Sequence, residues 1–336
     1  MKVLVTGTAG FIGSHVALKL LERGDEVIGF DSLNDYYDVN LKKARLARFM
    51  DRPGYTHIHA DLADRAAVES AFARHKPQRV INLAAQAGVR YAAENPYIYV
   101  ASNVTGFLHV LEGCRQHGVG HLVFASTSSV YGANTSLPFS EHQSTEHPLT
   151  LYAASKKANE QMAHSYAHLY GIPCTGLRFF TVYGPWGRPD MALFLFTKAI
   201  LAGEPIKVFN HGRHKRSFTY VDDIADGVIR ALDILPHRDA GWNGNAPDPA
   251  SSGVAPYRLY NIGNAEPVEL LRYIAVLEQC LGRKAQMEML PLQAGDVPDT
   301  EADVSELIRA VGYAPKVSVD TGVANFVSWY REYYGV

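Results

Sequence analysis

Near its start the chain carries a short apolar run, Val3 to Val5, that passes directly into Thr6-Gly7-Thr8-Ala9-Gly10-Phe11-Ile12-Gly13 and then into a helical pattern. Glycines at this spacing between a strand and a helix let the backbone approach a pyrophosphate, whose charge is met by exposed N–H groups and the positive end of the helix. A tight strand-to-helix turn without a ligand would carry the same glycines, so the surroundings decide. They favour a dinucleotide: Asp31 ends the second predicted strand, about 20 residues on, where an acid accepts from a ribose 2′-hydroxyl. Its charge would repel a 2′-phosphate, which selects NAD over NADP. Asp61, after the third predicted strand, is placed for the adenine, and the neighbouring Asp64 reads equally well as a helix N-cap.

Apolar runs alternate with amphipathic stretches through the first half, the pattern of a parallel sheet wrapped by helices. Strands are expected at Val3 to Val5, Val27 to Phe30, His57 to His59, Val80 to Leu83, Leu122 to Ala125 and Cys174 to Phe179. Helices are expected at Gly13 to Leu21, Arg65 to Arg74, Pro96 to Arg115 and Tyr152 to Tyr170. The fold class is therefore α/β, a doubly wound parallel sheet of Rossmann type. Beyond Pro185 the alternation gives way to Gly/Pro/Asn-rich turns with scattered helices, including a surface loop over Gly241 to Pro256; apolar periodicity returns in Asp320 to Tyr334. Residues 1–184 are read as the NAD-binding domain, with later segments returning to it, and 185–336 as mainly a smaller substrate lobe.

Lys and Arg together number 32 against 34 acidic residues, so no chain-wide positive field exists to hold a nucleic-acid backbone or an anionic membrane. Anionic ligands must be met locally. Cys114, Cys174 and Cys280 are widely spaced and odd in number, which suggests reduced thiols and a cytoplasmic setting. No export signal or membrane anchor is expected from the opening residues. The 14 histidines show no HxxxH or HExxH grouping, and no metal site is expected.

Tyr152-Ala153-Ala154-Ser155-Lys156 puts a phenol and an ammonium four residues apart on one face of a predicted helix. A free phenol ionises near pH 10, too high for a base at neutral pH, and a neighbouring cation lowers that value. An ordinary helix-surface pair is the plain alternative, and it loses force because the motif follows a dinucleotide turn and the strand end Ser126-Thr127-Ser128-Ser129-Val130-Tyr131-Gly132. Hydroxyls at the carboxyl edge of a parallel strand face the crevice where such sheets bind ligands, although a solvated Ser/Thr turn would look similar.

TGTAGFIG, Asp31, the NLAAQAG stretch at Asn82 to Gly88, STSSVYG and YAASK occur in the order and spacing of the extended short-chain dehydrogenase/reductase family, which the chain resembles over nearly its whole length. Phe179 to Ala192, Arg216 to Asp223 and Pro256 to Gly263 look like the corresponding segments of the UDP-glucuronate 4-epimerase group. The resemblance implies that Tyr152 is the base, that Lys156 holds the nicotinamide ribose and lowers the tyrosine pKa, and that Thr127 shares the proton relay to the sugar 4-hydroxyl. The sugar would pass through a 4-keto form and recover its hydride on the other face, with NAD recycled. Cofactor contacts are implied for Gly7, Gly10, Phe11, Ile12, Gly13, Asp31, Asn34, Asp61, Leu62, Leu83, Ala84, Ala85, Asn103 and Phe179, besides Tyr152 and Lys156. Substrate contacts are implied for Thr127, Ser128, Ser129, Tyr152, Thr181, Arg188, Val208 and Arg216, with Arg216 favoured for the diphosphate because a fork of donors suits phosphate oxygens.

Two positions bear on the reaction class. Related dehydratases and decarboxylases carry an acid where this chain has Ser129, and UDP-glucose epimerases carry an asparagine where it has Thr181, whose short hydroxyl leaves room for a carboxylate. Ala87 and Gln293 replace a lysine and an arginine of the UDP-galactose epimerases, which counts against that substrate. A lyase acting on the same sugar nucleotide, an epimerase of another UDP-hexose and a non-catalytic cofactor sensor remain the alternatives. Val104, Phe107, Leu108 and Leu111 on one predicted helix, and Met162, Tyr166 and Leu169 on another, read first as core, and the family's habit of pairing these helices leads to an expected homodimer.

Overall fold

The computed structural model describes residues 1–292 and 299–336. Gln293 lies outside the described residues. Strands β1 (Lys2–Thr6), β2 (Glu26–Asp31), β3 (Tyr55–His59), β4 (Arg79–Asn82), β5 (Leu122–Thr127) and β6 (Cys174–Phe179) form one parallel sheet, joined at its far edge by the strand Tyr257–Ile262. The order is Tyr257–Ile262, β6, β5, β4, β1, β2, β3. It reverses direction at β1, so the carboxyl ends of β1 and β4 part around a crevice.

Both faces of this sheet are covered, as a parallel sheet requires. Side-chain alternation along β1 sends Val3 and Val5 into one core with Val16, Leu20, Ile224 and Val228, and Leu4 into the other with Phe72, Phe107 and Phe124. The first core seats α1 (Phe11–Glu22) against the helix Val221–Asp233; α2 (Val39–Ala47) follows β2, and α3 (Arg65–His75) belongs to the second core. Further along come two single turns, α4 (Tyr91–Glu94) and α5 (Pro96–Tyr99), then α6 (Gly106–His117) and the long α7 (Leu151–Tyr170). A third core, built on Phe194, Phe218, Tyr273, Phe326 and Trp329, holds the later elements together. No helix among the described residues is long and apolar enough to cross a membrane.

The six expected strands are present, most of them a residue or two longer than their apolar runs. Tyr257–Ile262 escaped the sequence reading because Arg258, Tyr260 and Asn261 interrupt its apolar pattern. The expected helix Pro96 to Arg115 is divided by a π-helical turn over Val100–Thr105. Two residues read as core are not. Leu108 is 37% and Leu169 63% exposed, because they lie on the outer faces of α6 and α7, whereas Phe107 and Leu111 point inward.

Candidate active site

Each glycine of the first turn is required by a close approach. Gly7 has φ +79, and a Cβ on it would stand 2.8 Å from the Ala84 amide nitrogen; a Cβ on Gly10 or Gly13 would stand 2.9 Å or 2.0 Å from the Gly7 carbonyl. The turn is thus pressed onto Leu83 and Ala84 at the end of β4. Helix α1 opens at Gly10 with no side-chain cap and no acid in its first turn, which leaves its leading N–H groups to an anion. Asp31 is fixed beside them, accepting from the Ala9 amide at 2.9 Å and the Leu33 amide at 2.8 Å. Its position at the end of β2 suits a ribose hydroxyl. A bare turn would need none of this, so the residues present fit a dinucleotide.

The other expected cofactor contacts fall into two groups. Phe11 and Leu62 are buried, while Ile12, Asn34, Ala85 and Phe179 are partly open along the same sheet edge. Asp61 is exposed and accepts from the Ala63 amide at 2.8 Å; Asp64 caps α3 through the Ala67 amide at 3.1 Å. Lys42 donates to both the carbonyl and the side-chain oxygen of Asn34 at 2.6 Å. Asn103 lies deeper. It is 1% exposed, and its amide bridges Gln86 to the Ser155 hydroxyl at 3.0 Å, which itself donates to the Tyr152 carbonyl at 2.8 Å. Sitting in the π-helical turn, Asn103 joins the β4 crevice to the first turn of α7.

Thr127 ends β5 opposite Phe179 and caps the 3₁₀ turn Ser128–Tyr131, its Oγ1 accepting from the Ser129 amide at 3.2 Å. Its hydroxyl donates to Ser129 Oγ at 3.3 Å and also bears on the ionisation of the Tyr152 phenol. Burial pushes that phenol up from its ordinary value, and the Thr127 hydrogen bond and the Arg188 guanidinium pull it back down. Arg188 is thus one cation bearing on the phenol. Lys156, one turn further along α7 and 2% exposed, is pushed down to about 7 by burial, against which the Glu160 carboxylate works.

Thr181 and Arg188 line one cavity together with Phe11 and with apolar residues of the third core, among them Phe194, Phe218 and Phe326. Arg188 is already paired: Nε and Nη2 reach the Asp190 carboxylate at 3.0 and 2.5 Å, and Tyr36 donates to the same carboxylate at 3.2 Å. Burial raises the Asp190 carboxyl, but the Arg188 guanidinium overrides this and holds it below the ordinary range. Arg216 stands on the two-residue strand Lys215–Arg216, paired with Val268–Glu269 and Asp299–Thr300. Val208 is fully buried in the third core.

Sequence reasoning missed the layer below. Glu160 accepts from Ser126 at 2.6 Å and from Arg178 Nε and Nη2 at 2.8 and 2.9 Å. Arg178 is completely buried, with its guanidinium 5.0 Å from the Tyr131 ring. A charged residue inside the apolar β6 run was the available signal, together with an acid one turn beyond Lys156.

A model of the NAD dependent epimerase/dehydratase family matches residues 3–245. The chain is 48% identical over 337 residues to a probable UDP-glucuronate 4-epimerase of Rhizobium meliloti (strain 1021), covering 99% of this chain and 98% of that one. To UDP-glucuronate 4-epimerase 2 of Arabidopsis thaliana it is 48% identical over 339 residues, 99% of this chain and 76% of that one. Among solved structures it is similar to the UDP-glucuronic acid 4-epimerase from Bacillus cereus in complex with UDP-glucuronic acid and NAD. The TM-score there is 0.88 at 30% identity, over 99% of this chain and 100% of that one.

Proposed function

The chain belongs to the NAD dependent epimerase/dehydratase family, and from that premise we propose that it is a UDP-glucuronate 4-epimerase, an isomerase that inverts C4 to give UDP-galacturonate. The observation that carries this reading is the Tyr152 phenol on the first turn of α7, whose ionisation the Thr127 hydroxyl and the Arg188 guanidinium both favour, with Lys156 buried one turn further on. Relatives named for this reaction along the full length of the chain support it.

In our reading Gly7, Gly10 and Gly13 cradle the dinucleotide phosphates and Asp31 takes the adenosine ribose. NAD, when bound, supplies a reversible hydride acceptor for the sugar C4. Everything else falls to the chain. Tyr152 removes the 4-hydroxyl proton and returns it, with Thr127 as its hydrogen-bonded partner, and Lys156 holds the nicotinamide ribose. Ser128, Ser129 and Thr181 surround the uronate as neutral donors, and Arg216 takes the diphosphate. A 4-keto uronate is a β-keto acid that loses carbon dioxide readily. The neutral donors keep the carboxylate out of the alignment that loss needs, and Ser129 offers no acid to assist a lyase.

Residues 1–184 form the cofactor half in this reading, with the strand Tyr257–Ile262 returning to it, and 185–336 mainly the sugar-nucleotide half. Three free thiols fit a reducing compartment, the cytoplasm. Incubating purified protein with UDP-glucuronate tests the whole proposal. UDP-galacturonate is the expected product; UDP-pentose would assign a lyase, and unchanged substrate would leave a sensor.

A further inference from the structure

Pro185, Trp186 and Gly187 lead into Arg188, and the carbonyls of all three are met by side chains from the dinucleotide-binding half. Arg45, on α2, is fully buried; its Nε donates to the Trp186 carbonyl at 3.0 Å and its Nη2 to the Gly187 carbonyl at 3.0 Å. The same guanidinium reaches back through Nη1 to the Ala9 carbonyl in the glycine turn, at 3.1 Å, and to the Tyr37 hydroxyl at 2.6 Å. His15, on α1, places Nε2 3.2 Å from the Pro185 carbonyl and Nδ1 3.0 Å from the Asp222 carboxylate. Trp186 itself has φ +64, a left-handed conformation unfavourable for so bulky a residue. Its ring lies under the Arg48 guanidinium at 5.2 Å.

These contacts have a common sense. A strained backbone persists only where its surroundings over-determine it. A guanidinium with fixed fork geometry can engage several acceptors at once, and here each of the four is neutral, so Arg45 is not simply one half of an ion pair. We propose that Arg45 is a positioning residue for the sugar-nucleotide site: it holds the 185–187 segment against the glycine turn and thereby sets where Arg188 stands beside Tyr152. The inference rests on the reading of this site as one for a UDP-uronate. It assigns Arg45 no contact with substrate, only control over a residue that faces it. Lysine at position 45 would keep the charge and lose the fork.

Calorimetric titration of NAD-loaded protein with UDP-glucuronate and, separately, with UDP tests this. UDP lacks the sugar end that Arg188 addresses. Arg45→Lys should weaken UDP-glucuronate binding by roughly tenfold or more, the size of one lost hydrogen bond to a charged group, while UDP binding stays within about threefold. An Arg188→Ala variant and the double variant complete a cycle. If Arg45 acts through Arg188, the double variant binds UDP-glucuronate no more weakly than Arg188→Ala alone. Additive losses, equal losses for the two ligands, or unchanged UDP-glucuronate affinity in Arg45→Lys would each overturn the inference. Should Arg45→Lys not fold, Tyr37→Phe removes one acceptor and leaves the guanidinium; selective weakening of UDP-glucuronate supports the inference, and no selective change overturns it. Wild-type protein that binds UDP but ignores UDP-glucuronate would overturn the substrate reading itself, and this inference with it.

Discussion

Tyr152 and Lys156 show opposite distortions from one cause. Burial favours the neutral form of both, raising the phenol and lowering the ammonium to about 7. A neutral phenol is a poor base, so the groups that reverse the trend, Thr127 and Arg188, matter to the rate. Tyr152→Phe removes the transferable proton without altering the glycine turn. Turnover should fall by about two to four orders of magnitude, and NAD released on denaturing the purified variant should match wild type; near-normal turnover would remove Tyr152 from the mechanism. Lys156 makes a different prediction. An unfolded chain keeps its lysine proton up to the ordinary value of 10.5, whereas the native protein sheds it above about 7. In that window the unfolded state binds more protons, so the stability of the NAD-free protein rises with pH; below about 7 both states are charged and the native state bears the full cost. Lys156→Met should therefore stabilise NAD-free protein most at and below neutrality, with the advantage shrinking by on the order of 1 kcal/mol per pH unit above it. Denaturant titrations of both proteins across this range decide the matter, and a gain independent of pH would refute it.

At the scale of elements, β5, β6 and α7 are joined by the Glu160–Arg178 pair under the strand end that carries Thr127. Buried ion pairs are poor sources of net stability, yet removing one partner strands the other charge, and Arg178 Nη1 already lacks a hydrogen-bond partner among the described residues. Glu160→Gln should thus cost about 3–5 kcal/mol in denaturant unfolding; a loss below ~1 kcal/mol would mean that Arg178 finds other compensation. How far these elements could be read in advance depended on their chemistry. Strands buried on both faces announce themselves as apolar runs, which is why β1, β2, β4, β5, β6 and the glycine turn were legible; the edge strand β3 has no buried residue and a weaker pattern. Asp31 and the Tyr152–Lys156 spacing were legible too, because each is local in sequence. Arg45, His15 and Asp190 were not. Their partners are distant along the chain, Arg45 to Gly187 and His15 to Pro185 for example, and nothing in a lone charged residue on a helix says that its acceptors lie across the molecule. Tyr257–Ile262 was missed for a related reason: Asn261 looks like a turn residue until its amide group is found bonded to the Phe139 and Asp303 carbonyls.

The whole molecule turns α6 and α7 two ways. The inward faces carry Phe107, Leu111, Ser155, Lys156 and Glu160, all buried, while Leu108 on α6, with Val104 in the π-helical turn before it, and Ala154, Ala158 and Met162 on α7 remain at least partly open. Spacings of four residues put each set on one stripe of its helix, and two such stripes side by side form a surface that a second copy can cover in a four-helix bundle. We expect a homodimer on this basis, with a mass in sedimentation of twice 37.0 kDa at micromolar concentration. Leu108, 37% exposed, is the residue to change, since a charge there leaves the folded chain tolerable in solvent but has to be desolvated when two copies meet. Leu108→Glu should cost the association about 2 kcal/mol or more, a roughly thirtyfold rise in dissociation constant. The melting temperature of the wild type should then rise with protein concentration while that of the variant does so only at higher concentrations, because a partner that binds only the native state stabilises it by mass action. Lys156 is buried on the inward face of α7 and Leu108 is exposed on α6. Leu108→Glu should accordingly retain turnover within about tenfold, and a wild type that sediments solely as monomer would end the proposal regardless of the variant.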